Sequence, residues 1–216
     1  MNYTELVTAI SDYTENTFNT ADMNNFIQQA EQRIYNAVQF PALRNVSTTA
    51  MTASSQYLNC PSDFLAVHSF AVVDDTGAYT FLLNKDVSFV REAYPTATAT
   101  GVPKYYALFG PQAAAPTELR FLLGPTPASA YATELQYFYY PESIVTAGTS
   151  WLGDNFDSVL LYGALVEAYT FMKGEQDMQT QYDGKYKEAL TMAKRLGDGM
   201  ERQDAYRSGQ VRIAVT

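Results

Sequence analysis

The chain holds one histidine and one cysteine, and these two residues limit its chemistry. His68 lies in Val67-His68-Ser69-Phe70, inside an expected strand. Catalysis by a nucleophile, a histidine and an acid would have to run through it. No Gly-x-Ser-x-Gly elbow accompanies it, and nothing around Cys60 marks an activated thiol. Metal ligation by Cys and His is nearly excluded by count, and no Gly-x-x-x-x-Gly-Lys loop offers a nucleotide cradle. Carboxylate pairs can do acid–base work, as in glycosidases. Both candidates have other duties, because Asp74-Asp75 sits in an expected turn and Asp154 with Asp157 suits a helix start. No catalytic residue, metal or cofactor is expected. The inventory belongs to a structural or interaction protein.

Chemistry of another kind sits at the C-terminal end. From Met200 to Ile213 the chain mixes arginines (Arg202, Arg207, Arg212) with Tyr206, Val211 and Ile213. Ordering backbone costs ~1–2 kcal/mol per residue, more than so few apolar side chains return. Residues 200–216 are therefore expected to be loose until a partner surface receives them.

Charge is uneven along the chain. Residues 1–172 carry 6 basic and 16 acidic groups, whereas 173–216 carry 8 and 7. An acidic body argues against gripping phosphates, since nucleic-acid affinity rests on Lys and Arg displacing counterions. An acidic wall would instead let DNA slide past. Seventeen tyrosines and twelve phenylalanines supply wide, stiff contact area, suited either to a sheet core or to surfaces buried against neighbours. A lone Cys60 excludes an intrachain disulfide. No basic start followed by an apolar run marks a signal peptide, and Phe64 to Val73 is too short to span a bilayer, so a soluble protein is expected.

The elements that must position these residues follow from periodicity. Residues 4–16 read as a short helix, and Thr20 is expected to cap a longer one with Met23, Phe26, Ile27, Ala30, Ile34, Ala37 and Val38 on its stripe. From Val46 to Tyr140 short β-like runs alternate with turns, including a hairpin around Asp74-Asp75-Thr76-Gly77 and a brief helix from Lys85 to Tyr94. A helix capped by Asp154 follows, apolar nearly all round, and Gly174 turns it into a second, amphipathic helix that Gly197-Asp198-Gly199 is expected to stop. The fold class is α+β: N-terminal helices packed with a C-terminal helical hairpin as a bundle, a central antiparallel β region and an extended C-terminal tail. The expected divisions are 1–45 with 151–199 for the bundle, 46–150 for the β-rich region and 200–216 for a partner-docking tail.

Several phrases carry a family resemblance. Trp151-Leu152-Gly153-Asp154, Lys173-Gly174-Glu175, Lys194-Arg195-Leu196-Gly197-Asp198-Gly199 and Asp204-Ala205-Tyr206-Arg207-Ser208-Gly209 resemble the head-to-tail adaptor (connector) proteins of tailed phages, especially short-tailed ones. Ala30-Glu31-Gln32-Arg33-Ile34-Tyr35, Pro61-Ser62-Asp63-Phe64-Leu65 and Leu123-Gly124-Pro125-Thr126-Pro127 resemble the same family in the same order. The resemblance implies a non-enzymatic virion protein at the head–tail interface, assembled in the host cytoplasm. It implies a ring of about twelve copies below the portal protein, continuing the DNA channel for genome ejection and receiving tail nozzle or tail fibre proteins. DNA would pass without specific binding, and no membrane is involved. The docking tail would present Arg202, Tyr206, Arg207, Val211, Arg212 and Ile213 to the portal. Neighbouring subunits would cover the apolar surplus of the first C-terminal helix at Val159, Leu165 and Val166, with Gly163 permitting close approach. A rival reading from another class is a carbohydrate-binding or carbohydrate-processing virion protein, with Tyr137-Phe138-Tyr139-Tyr140 as the sugar platform.

Overall fold

Asparagine side chains start both N-terminal helices. In α1 (Tyr3–Thr14) Asn2 Oδ1 accepts the Glu5 N–H at 3.0 Å and Glu5 Oε2 accepts the Asn2 N–H at 2.9 Å, a reciprocal capping box. In α2 (Thr20–Ala37) the cap is Asn19, accepting from the Asp22 N–H at 2.8 Å. Thr20, the expected cap, is the first helical residue. The computed structural model describes residues 1–111 and 118–205, the side chains of 198–205 excepted. The chain divides into two compact units, Met1–Leu43 with Tyr140–Thr216, and Arg44–Tyr139.

The helical unit adds a 3-10 turn (Pro41–Leu43) and then α4 (Ile144–Ala147), α5 (Trp151–Asn155), α6 (Asp157–Met172) and α7 (Gln176–Ala205). The single helix expected to open at Asp154 is two helices. Ser150 caps the first, its hydroxyl accepting the Gly153 N–H at 3.0 Å, so Asp154 falls inside α5. The break at Phe156 has a packing cause: its ring completes a cluster with Phe40 and Trp151, at centroid distances of 5.2 and 5.5 Å. Beyond it, α6 is the centre of the unit, packed against α1, α2 and α7. Neighbours on three sides satisfy a helix with almost no polar face.

The expected stop at Gly197-Asp198-Gly199 is also corrected, because α7 runs on to Ala205. Glycine in a helix interior costs only ~1 kcal/mol, and packing overrides it. A Cβ at Gly197 would stand 3.1 Å from the Gln39 carbonyl oxygen and 3.2 Å from Val38 Cγ1. Gly197 lets α7 press onto the chain leaving α2.

The other unit is built from β1 (Arg44–Ala50), β2 (Tyr57–Asn59), β3 (Ala66–Val73), β4 (Tyr79–Phe81), β5 (Leu83–Asn84), α3 (Val87–Ala93), β6 (Thr100–Gly101), β7 (Tyr105–Phe109), β8 (Arg120–Gly124), β9 (Thr126–Pro127) and β10 (Ala132–Phe138). One sheet runs β1-β10-β3-β4 and a second β2-β8-β7-β5. Pairing is antiparallel except for the short pairs β5–β7 and β6–β9. Between the sheets lie Phe64, Phe70, Tyr106, Phe121, Leu135 and Tyr137. Each large aromatic removed from water there contributes ~1.5–3 kcal/mol, so this cluster holds the sheets face to face. On the outer side of the second sheet α3 lays Val90 against Ala107 and Leu122.

Candidate interaction site

The residues that could have done chemistry are occupied otherwise. His68 is exposed on β3, with Phe138 edge-on at 5.7 Å. Cys60 is buried, and desolvation pushes its thiol up to about 12. Asp74 Oδ1 accepts from the Thr76 hydroxyl at 2.6 Å, the Thr76 N–H at 2.8 Å and the Ala78 N–H at 2.9 Å. The Thr76 hydroxyl, followed by the Ala78 N–H, holds this carboxyl below the usual carboxylate range. That is a turn-forming aspartate, not half of a catalytic pair. Among the described residues no three of His, Cys, Asp and Glu come together as a metal site.

One acid that sequence reasoning passed over stands out. Glu31 in α2 is buried, with Oε1 accepting the Ile144 N–H at 2.9 Å. Burial raises its carboxyl above the ordinary value, offset in part by the hydrogen bonds from Ile144 and Ser143. It supplies an acceptor to the first turn of α4, where the backbone N–H groups have no helical partner. Its position among the apolar residues of the α2 stripe, at i+4 from Ile27, was the available signal.

Surfaces matter more here than pockets. Val159, Gly163, Leu165 and Val166, the expected subunit contact, are all buried in their own unit. Gly163 does permit close approach, but of α2 and α7: a Cβ there would lie 3.2 Å from both Ala30 Cβ and Tyr186 Cε2. A neighbour meeting this hairpin finds instead Phe171, Met192 and Leu196, each at least half exposed. Of the expected docking residues, Arg202 falls within the span of α7, and Tyr206, Arg207, Val211, Arg212 and Ile213 lie outside the described residues. Of the aromatic run expected as a sugar platform, Tyr137 is core, its hydroxyl donating to Asp63 Oδ1 at 2.9 Å, and Tyr140 is exposed.

The β unit shows an exposed apolar edge. Tyr79, Phe81 and Leu83 follow one another at every second residue, 51%, 64% and 58% exposed, while Leu82 between them is buried. They run along β4 and into β5, which end the two sheets. Exposed apolar edge strands are normally covered by a partner.

Such a molecule is built for contact, and comparison says with what class of protein it belongs. A family model of the SU10 adaptor protein matches residues 1–214. The chain belongs to the SU10 adaptor protein family. No curated protein matches it. The adaptor is thus a structural component of a phage virion, a role that joins portal and tail proteins and entails self-association. No helix among the described residues is long and apolar enough to cross a membrane.

Proposed function

We propose that this adaptor forms a ring of about twelve copies beneath the portal of a short-tailed virion, continuing the DNA channel and receiving tail nozzle or tail fibre proteins. The family match over residues 1–214 carries the reading. Supporting it are the exposed apolar edge of the β unit and the exposed Met192 and Leu196 on α7, surfaces that a lone protein would not maintain. Residues 200–216 dock on the portal, with Arg202, Arg207 and Arg212 pairing with acidic groups and Tyr206, Val211 and Ile213 supplying apolar anchors. The acidic balance of residues 1–172 keeps DNA moving through the channel without gripping it. Mixing the purified chain with portal rings and measuring mass, with electron microscopy of the product, tests this directly. A ring stacked on the portal is expected. A chain that stays monomeric and apart from portal at micromolar concentration overturns the reading.

A further inference from the structure

Two of the six cations in residues 1–172 converge on one tyrosine of the β unit. Arg91 on α3 donates from Nη1 to Gln56 Oε1 at 2.9 Å and from Nη2 to the Tyr57 hydroxyl at 2.8 Å. Arg120 on β8 lays its guanidinium over the Tyr57 ring, 4.2 Å from the centroid, and reaches Phe109 at 5.4 Å. Its Nε is buried without a hydrogen-bond partner. Among the described residues neither arginine has a carboxylate within ion-pair distance. A guanidinium stacked on an aromatic face is held rigid with N–H groups at its edge, a geometry matched to carboxylates. Arg120 stacked on the Tyr57 ring and Arg91 hydrogen-bonded to its hydroxyl, in an acidic body, are a receptor without its acid.

An acid of the right form sits on the same unit. The hydrogen bonds to Asp74 fix the β3–β4 turn, and the adjacent Asp75 is exposed at its tip. Just beyond it Tyr79 and Phe81 stack on one another, ring centroids 6.4 Å apart, and both face solvent. The tip therefore carries a carboxylate beside exposed aromatic surface, the counterpart of two arginines beside Tyr57 and Phe109.

We propose that the β3–β4 hairpin of each copy docks on the Arg91–Arg120–Tyr57–Phe109 patch of the next copy, Asp75 meeting the arginines and Tyr79 the aromatic rings. This rests on the ring reading and names the contact that closes the ring. Donor and receptor are different patches of one chain, so each copy has one of each to offer, and a head-to-tail contact of that kind closes into a ring when its rotation is right. DNA is the weaker occupant, because two cations in a body of 6 basic and 16 acidic groups release few counterions.

Charge exchange tests the contact. Wild type, Asp75→Arg, Arg91→Glu and the double variant are each mixed with portal rings, and ring yield is read by mass and microscopy, with thermal unfolding recorded alongside. Asp75→Arg alters an exposed tip and should leave folding intact while cutting ring yield about tenfold or more, as should Arg91→Glu. The double variant should recover most of the yield. Wild-type rings with an unaffected Asp75→Arg, or a double variant no better than the singles, overturn this contact and leave the ring reading standing. Absence of wild-type rings removes both. Salt-sensitive binding of a DNA duplex that Arg91→Glu abolishes would identify DNA as the occupant and overturn the contact between copies.

Discussion

Glu31 and Ile144 meet across 113 positions of sequence: the buried carboxylate on α2 accepts the backbone N–H that opens α4. The bond fastens the segment that returns from the β unit to the first long helix of the bundle. It also places an ionisable group where its charge is poorly solvated, and burial raises the carboxyl above its ordinary 4.5. Between that value and the raised one, the folded chain keeps a proton that the unfolded chain has lost. Stability contributed by Glu31 is therefore greatest at low pH and falls as pH rises through this window.

Glu31→Gln keeps an acceptor for Ile144 and removes the titration. Its unfolding temperature should match or exceed that of wild type at neutral pH, with a flatter pH dependence above 4.5. Glu31→Ala strands the Ile144 N–H and should cost about 1–3 kcal/mol. Thermal unfolding across pH 4 to 8, a range of about four units, checks both. Parallel pH profiles for wild type and Glu31→Gln would sink the assignment.

Two glycines of α7 should respond unequally to the same change. A Cβ at Gly184 meets nothing within 4 Å, so Gly184→Ala should stabilise the chain by up to about 1 kcal/mol through helix propensity. At Gly197 the Gln39 carbonyl stands in the way at 3.1 Å. Gly197→Ala should gain less than Gly184→Ala, and Gly197→Leu should destabilise. Denaturant unfolding compares them, and equal gains at both positions would show that the α7 contact with residues 38–40 is loose.

Cys60 should be inert while the chain is folded. With its thiol pushed up to about 12, the thiolate is scarce at pH 8, and burial denies access to reagents. Labelling by a small disulfide reagent should be negligible in the native protein and complete in denaturant. Fast native labelling would mean that the inter-sheet core opens readily.

Because α7 extends through Ala205, the docking segment is best tested by truncation there and not at Gly199. Removing residues 206–216 should leave the unfolding transition of the body unchanged. It should abolish attachment to portal-containing heads, since weak single tails act together only when each copy of the ring has one. Retained attachment would transfer portal recognition to the body.

Much of this protein was legible in its residues alone. Apolar periodicity marked α2 and α7, and the Asp74-Asp75-Thr76-Gly77 turn marked the β3–β4 hairpin. These are local properties: a 3.6-residue period and a turn aspartate hold wherever the chain goes. Contacts between distant segments decided the rest. Gly197 reads as a helix stop until Val38 and Gln39 are seen against it, and Phe156 reads as helix interior until Phe40 and Trp151 claim its ring. Val159, Leu165 and Val166 look like surplus apolar surface in sequence, because a helix does not announce how many neighbours it has. Here they are buried in a helix packed by α1, α2 and α7, and the apolar residues left exposed are others, Phe171 at the end of that helix and Tyr79, Phe81 and Leu83 in the β unit among them. The convergence of Arg91 and Arg120 on Tyr57 has no sequence signal, since three separate elements bring those residues together. Burial is a sum over the whole fold, and only the fold can supply it.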